Sequence, residues 1–265
     1  MIFGLLGGAV VGAILGLTGA GGGVLATPML VLGIGLSASQ AAPVSLIAVA
    51  VAAAVGTAGA LRSGLVRYRA ASVMALAGAL FAPLGLHIAH VLPPRVVVTA
   101  FCAVMLIVAA RMLLQVFGSR TTAATSVRSC PCRIDSATGR FRWTGRCSAS
   151  LAFTGAFAGL FTGMLGVGGG FVIVPALRQF SDADMQTAAA TSLMVVALVS
   201  SATAAGTVAT GVHLPAIGWP FIGATVAGLI AGRRLAGRIP VQWLQMAFSV
   251  LVVGVAMSWL AKTLL

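Results

Sequence analysis

Long apolar runs constrain the fold of this sequence more than any other feature. Six of them reach about 20 residues, the length that one crossing of a bilayer requires: 41–61, 70–92, 96–117, 188–210, 215–236 and 242–263. Only 7% of the 265 residues are charged, whereas a soluble domain has about 25%. Most of the surface must therefore face lipid, and the sequence predicts an all-α integral membrane protein.

The few charged residues are unevenly balanced and unevenly placed. Lysine and arginine total 16 residues against three acids, which gives a formal net charge of +13. In a soluble protein this excess would suggest nucleic-acid binding, but here the arginines lie between apolar runs, as the positive-inside rule describes. We therefore expect the partners to be the lipid bilayer and a small solute, expect no nucleic acid, and leave self-association into a homo-oligomer open.

The sequence repeats itself at an offset of 147 positions, which is the separation of Gly16 from Gly163. The alignment needs no gap over about a hundred residues, and it keeps Pro28 in register with Pro175 as well as many glycines. Chance would not hold one offset over such a length, so the repeat indicates a duplication. Duplicated halves are common in secondary transporters.

Three segments follow from the duplication: a first membrane repeat at 1–117, an arginine-rich linker at 118–148 and a second membrane repeat at 149–265. The linker contains six arginines and a single acid, Asp135. Because such a segment has little apolar surface to bury, we interpret it as a cytosolic connector with little fixed structure.

Three of the four cysteines lie in the linker, at Cys130, Cys132 and Cys147. Cys130 and Cys132 flank a single proline and have neither a second cysteine pair nor a nearby histidine, so a zinc site is not expected. We predict free cytosolic thiols at these three positions and an inert thiol at Cys102, within an apolar run.

Each repeat opens with a glycine cluster, at 19–23 and at 166–170. A five-residue cluster with four glycines is a poor helix interior, and the apolar pieces on either side are mostly too short to cross a bilayer. We therefore predict that each opening is a broken, re-entrant pair of short helices joined by a glycine loop at membrane depth. The second helix of each pair is expected to begin at Val24 or at Phe171.

The arginine positions favour opposite orientations for the two halves. If each opening crossed the bilayer once, Arg178, Arg233 and Arg234 would lie outside while the linker lay inside, against the positive-inside rule. If each opening enters and leaves by one face, each half has three transmembrane helices and nearly all arginines lie inside. The sequence thus predicts an inverted repeat with both termini outside the cytoplasm.

The glycine loops are the predicted substrate site. A broken helix at membrane depth must line a cavity or pack within protein, and a helix that restarts there presents free N–H groups and a positive dipole end to an anion. The predicted substrate-binding residues are Thr18, Gly19, Gly21, Gly22, Gly23, Thr27, Gln40, Ser45, Gly166, Gly168, Gly169, Gly170, Thr191 and Ser192. The alternative is that the glycines only permit close helix packing.

The sequence lacks residues that several functional classes require. None of the predicted crossings contains Asp or Glu, although cation carriers usually place carboxylates there. The glycine clusters lack the Lys-Ser/Thr ending of a phosphate-binding loop, and neither of them follows a strand as a dinucleotide-binding motif does. We therefore expect no enzyme activity, catalytic residue, metal ion or cofactor.

The glycine clusters and the prolines after them resemble a known family. The first copy reads GLTGAGGG at 16–23 and PML at 28–30, and the second reads GMLGVGGG at 163–170 and PAL at 175–177. These segments resemble the sulfite exporter TauE/SafE family, and the resemblance covers nearly the whole chain except the linker. It implies a multi-pass permease of the bacterial inner membrane, with export of sulfite or organosulfonates among the family's functions.

Together these observations predict a secondary transporter that exports small anions such as sulfite or organosulfonates. The expected mechanism is alternating access around a midplane site at the two glycine loops. Two alternatives stay open at this point. One is an anion channel, and the other is a non-transporting membrane partner that uses the linker as a docking segment.

Overall fold

The computed structural model describes residues 2–19, 22–33, 35–118, 132, 144–181, 184–209, 218–236 and 241–264. Within these ranges the regular elements are helices: Ile2–Thr18 (α1), Gly22–Pro28 (α2), Ala38–Arg62 (α3), Tyr68–Val91 (α4), Pro94–Gly118 (α5), Gly145–Leu165 (α6), Gly170–Phe180 (α7), Met185–Ala209 (α8), Gly218–Ala236 (α9) and Val241–Leu264 (α10). A π-helical segment, Met29–Gly33, continues α2. The predicted all-α class is confirmed for the described chain.

Four described helical segments are long and apolar enough to span a membrane: Gln40–Arg62, Tyr68–Ala89, Gly145–Leu165 and Met185–Thr207. The third corrects the prediction that the apolar pieces beside the glycine clusters are mostly too short to cross, since it precedes the second cluster. It is a helix of 21 residues, since Thr144 caps it inside the linker by accepting a hydrogen bond from Cys147 N at 3.3 Å.

Large apolar side chains cover much of the outer surface of the helix bundle. Phe3 is 77% exposed, Leu80 76% and Phe153 72%. Exposed apolar side chains on this scale would favour aggregation in water, but they are ordinary where helices face hydrocarbon. The exposed surface therefore agrees with a membrane-embedded bundle.

Two helix pairs pack through glycines, and both pairs run parallel. A Cβ atom added to Gly8, Gly12 or Gly16 of α1 would overlap, in that order, the carbonyl oxygens of Phe221, Thr225 and Leu229 of α9. A Cβ atom added to Gly155, Gly159 or Gly163 of α6 would overlap, in that order, the carbonyl oxygens of Met74, Gly78 and Ala82 of α4. The two sets of contacts are related, position by position, by the offset of 147.

Helices α3 and α8 form the centre of the bundle. Ala60 packs with Ala190 at one end of the pair, and Gly56 faces Leu193 farther along, so these helices run antiparallel. Small buried residues along both helices form much of the main core, and they permit this close crossing.

Helices α5 and α10 pack together beside the centre. Cys102 of α5 lies buried, with its Sγ atom 3.6 Å from Ala256 O of α10. The ring of Phe101 contacts Trp259 edge to face at 6.3 Å and Phe171 of α7 at 5.7 Å. This aromatic cluster attaches the α5–α10 pair to the second broken helix.

The linker cysteines do not follow the prediction of free thiols. Cys132 forms a disulfide with Cys147, and Cys132 N donates a hydrogen bond to Phe180 O at 3.1 Å. The spacing of the cysteines gave no sign of this pair because the main chain at the end of α7 positions Cys132. Cys130 and most of the linker lie outside the described residues.

We expect the disulfide to stabilise the purified protein. Closing a loop with a sequence separation of 15 stabilises a fold by roughly 3 kcal/mol in the chain-entropy model. Dithiothreitol should therefore lower the unfolding temperature of the wild-type protein by several degrees, and it should have no effect on Cys132→Ser. Equal unfolding temperatures of the wild type with and without reductant would contradict a stabilising bond.

Candidate functional site

Both glycine clusters break a helix, as predicted. Gly19 has φ +73°, and the second turn has φ +68° at Gly166, +77° at Gly168 and +60° at Gly169. Residues with a Cβ atom rarely adopt this left-handed region, which explains the use of glycine. The second helix of each pair begins slightly earlier than predicted, at Gly22 and at Gly170, because the last glycines of each cluster are part of its first turn.

A serine from the other repeat holds each glycine turn. Ser192 Oγ of α8 donates a hydrogen bond to Gly19 O at 2.7 Å, and Ser45 Oγ of α3 lies 2.9 Å from Gly166 O. The two contacts are related by the offset of 147. Each helix break is therefore fixed by a buried hydroxyl from the opposite half of the sequence.

One of these two sites has an additional hydroxyl. Thr27 Oγ1 lies 3.0 Å from Ser45 Oγ and 3.5 Å from Gly166 O. The residue at the offset of 147 from Thr27 is Val174, which has no hydroxyl. The polar cluster of Thr27, Ser45 and Gly166 is therefore richer than its counterpart at Gly19.

The two glycine clusters contact each other through their backbones. A Cβ atom on Gly23 would overlap Val167 O, and one on Gly22 would overlap Val11 O. At Gly169 an added Cβ atom would lie 2.6 Å from Thr162 Oγ1. The glycines thus bend the chain and also let backbones approach closely, and their role in substrate binding stays a prediction.

Other predicted site residues lie away from the glycine turns, or their polar groups form hydrogen bonds with atoms outside the turns. Gln40 is exposed in the first turn of α3. Thr18 Oγ1 donates to Ile14 O at 2.8 Å within α1. Thr191 Oγ1 donates to Thr187 O at 2.7 Å while accepting a hydrogen bond from the Arg67 N–H at 3.2 Å. Gly21 lies outside the described residues.

Ser200 of α8 also lies beside the second glycine turn, although the sequence did not single it out. Its side chain is fully buried, and within the described part of the chain Oγ has no hydrogen-bond partner. It lies 3.2 Å from the position that a Cβ atom on Gly168 would take. No sequence signal marks it, because its counterpart at the offset of 147 is Ala53.

Arginines surround the end of the bundle at which α3 finishes. Arg62 is the last residue of α3, the Arg233 guanidinium of α9 donates a hydrogen bond to Gly56 O, and Arg67 Nε is buried without an acceptor among the described residues. The position that matches Arg233 in the first repeat is Leu86. The corresponding position in the other repeat thus has no positive charge, and these arginines are concentrated at one end of the bundle.

Nothing in the described ranges assembles three or more His, Cys, Asp or Glu side chains that could hold a metal ion. The polar groups near the glycine turns are hydroxyls and backbone N–H and C=O groups. The hydroxyl and N–H groups among them can donate hydrogen bonds to an anion that lies at the turns.

Comparison with known proteins agrees with the resemblance in the sequence. The family model for the sulfite exporter TauE/SafE matches residues 4–258. A probable membrane transporter protein of Xylella fastidiosa strain Temecula1 is 33% identical over 190 residues, covering 71% of this chain and 67% of the relative. One of the same description from strain 9a5c is 33% identical over 196 residues, with the same coverage.

No solved structure matches the chain significantly. The family model nevertheless spans almost the whole sequence, and the described helices include several of membrane-spanning length. The members of this family are membrane transporters rather than enzymes. The chain therefore belongs to the sulfite exporter TauE/SafE family of multi-pass membrane transport proteins.

Proposed function

We propose that the protein is a secondary transporter that exports small sulfur oxyanions, such as sulfite or organosulfonates, by alternating access around the two glycine turns. The observation that carries this proposal is the reciprocal pair of contacts, Ser192 to Gly19 and Ser45 to Gly166. It brings two helix breaks together in the buried centre of a membrane bundle, where irregular backbone lines a substrate path in other transporters.

The polarity of the site suits an anion. Val172 N in the first turn of α7 donates to Gly169 O at 3.2 Å, and the helix dipole is positive at that end and favours an anion. The acids of the sequence are Asp135, Asp182 and Asp184, so none of them lies in a membrane-spanning helix. A cation bound at the turns would have no carboxylate to neutralise it.

The proposed mechanism requires two halves of opposite orientation. Two observations support it: α1 runs parallel to α9 while α6 runs parallel to α4, and α3 runs antiparallel to α8. Because α4 follows α3 and α9 follows α8, each half would then be inverted relative to the other. Two inverted halves around a fixed site can open alternately to each side of a membrane.

We assign the arginine-rich end of the bundle to the cytoplasmic side of the bacterial inner membrane. The positive-inside rule favours this orientation, and the arginines would attract anions to that entrance. The inside-negative membrane potential favours outward movement of an anion by about 2.3 kcal/mol per charge per 100 mV. Export therefore needs little additional coupling.

Counterflow in proteoliposomes tests the transport function. Vesicles are loaded with unlabelled sulfite, sulfate, sulfoacetate or thiosulfate, and labelled sulfite is added outside. We expect transient accumulation of label with at least one internal anion, because a carrier exchanges substrate across the bilayer. A channel would give anion flux without accumulation, and uptake equal to that of empty liposomes for all four anions would contradict the proposal.

Cysteine labelling tests the orientation, in a background in which the four native cysteines are replaced. Ser63 and Gln40 are exposed residues near opposite ends of α3. We expect a membrane-impermeant maleimide to label Gln40→Cys in spheroplasts and to label Ser63→Cys only after permeabilisation. The reverse pattern would contradict the orientation and would place the Cys132–Cys147 disulfide in the oxidising compartment, where such bonds persist.

A further inference from the structure

We propose that Ser200 is a substrate-binding residue whose hydroxyl donates a hydrogen bond to an oxygen of the anion held at the second glycine turn. This inference rests on the proposed transport function and specifies its site. Ser200 is fully buried, its Oγ atom has no partner among the described residues, and it faces Gly168.

The unpaired hydroxyl is an exception within its own helix. Three other hydroxyls of α8 donate to a carbonyl about one turn earlier: Thr191 to Thr187 O, Thr203 to Val199 O, and Thr207 to Ala204 O. A buried hydroxyl without a partner is destabilising by about 1–3 kcal/mol. A bound ligand would supply the missing acceptor, and a functional role is one of the reasons why a buried polar group is left unpaired.

The surroundings of Ser200 place it at the centre of the proposed path. A Cβ atom on Gly168 would lie 3.1 Å from Val49 Cγ1 of α3 and 3.5 Å from Val196 Cγ1 of α8. Val49 and Val196 are related by the offset of 147. Gly168 therefore lies between corresponding points of the two central helices, and Ser200 is one turn along α8 from the second of them.

The two repeats differ at the position of Ser200. The residue that corresponds to Ser200 is Ala53, so the first repeat provides a methyl group where the second provides a hydroxyl. Gly168 precedes α7, a helix of 11 residues whose N-terminal N–H groups favour negative charge. Hydroxyl and helix N-terminus together would bind oxygen atoms that accept hydrogen bonds, which sulfite and the sulfonate group of sulfoacetate share.

The test compares Ser200→Ala and Ser200→Cys with the control Ser201→Ala, whose serine is exposed on the same helix. Counterflow is measured with labelled sulfite and with labelled sulfoacetate. We expect KM for both anions to rise roughly tenfold in the two Ser200 variants, because a hydrogen bond to a charged group is lost. KM of Ser201→Ala should equal that of the wild type.

Thermal unfolding separates substrate binding from a structural role. Without ligand, Ser200→Ala should unfold at the wild-type temperature or above it, because the substitution removes an unpaired buried hydroxyl. Sulfite should stabilise the wild-type protein and Ser201→Ala, and it should stabilise Ser200→Ala much less. A lower unfolding temperature of ligand-free Ser200→Ala together with unchanged stabilisation by sulfite would show a structural role and overturn the inference.

The outcomes distinguish this inference from the proposed transport function. Wild-type counterflow with unchanged KM in both Ser200 variants would overturn the role of Ser200 and leave the transport function standing. Absence of wild-type counterflow would overturn the transport function. In that case the stabilisation by sulfite still tests whether Ser200 binds the anion. Equal stabilisation of the wild type and Ser200→Ala, including no stabilisation of either, would overturn the role of Ser200.

Discussion

Gly228→Leu is expected to prevent the protein from folding, whereas Gly223→Leu on the same helix is expected to be tolerated. A Cβ atom on Gly228 would overlap Ala9 O of α1. The obstacle is backbone, so no side-chain rotation relieves it, and α1 must separate from α9. At Gly223 nothing lies within 4 Å of an added Cβ atom, and the position is exposed.

The expected magnitude is large because the α1–α9 pair packs through glycines along its length. Overpacking an ordinary core is destabilising by about 1–3 kcal/mol, and a collision with backbone exceeds that range because neither helix can yield locally. Fluorescence-detected size-exclusion chromatography should show a single sharp peak for Gly223→Leu and aggregate for Gly228→Leu. A sharp peak and a wild-type unfolding temperature for Gly228→Leu would refute this packing.

The helices and their breaks could be predicted from the sequence because they follow from local chemistry. Apolar length determines which segments remain in lipid, and the left-handed backbone at Gly166 and Gly168 explains the glycine clusters. Apolar length alone does not predict the full length of α6. Its first turn is polar and lies in the linker, where hydropathy gives no helix signal but the Thr144 cap does.

The partners across the repeat could not be predicted, because duplication shows which residues correspond and not which residues touch. Ser45 and Ser192 were identified as hydroxyls near the loops, but the sequence does not reveal that each holds the turn of the other half. The disulfide at Cys132 depends in the same way on a distant segment, the end of α7. Ser200 was missed because its repeat partner is an alanine.

The reciprocal serines should be needed for both stability and transport. Ser45→Ala and Ser192→Ala each remove a buried hydrogen bond to a glycine carbonyl of the opposite turn. A buried carbonyl that loses its partner is destabilising by about 1–3 kcal/mol, and the cost is expected to be smaller at Gly166 O, which keeps Thr27 Oγ1 at 3.5 Å. The double variant is therefore expected to unfold roughly 5–10 °C below the wild type, with each single variant between them.

Transport should fall further than stability in the double variant. The two serines fix the positions of Gly19 and Gly166, and a displacement of either turn misaligns the N–H groups that face the anion. We expect counterflow to decrease at least tenfold at a temperature at which the variant remains folded. This decrease follows because ligand contacts need closer alignment than folding does.

Ser258→Ala is the matched control for these substitutions. Ser258 is exposed on α10 and its hydroxyl lies 2.8 Å from Val255 O of its own helix, so the same chemical change removes no contact between the halves. Wild-type stability and counterflow in the control would attribute the loss in the double variant to the reciprocal contacts. If the double variant instead transports and unfolds like the wild type, the glycine turns are held by backbone packing alone, and the paired serines have no part in the site.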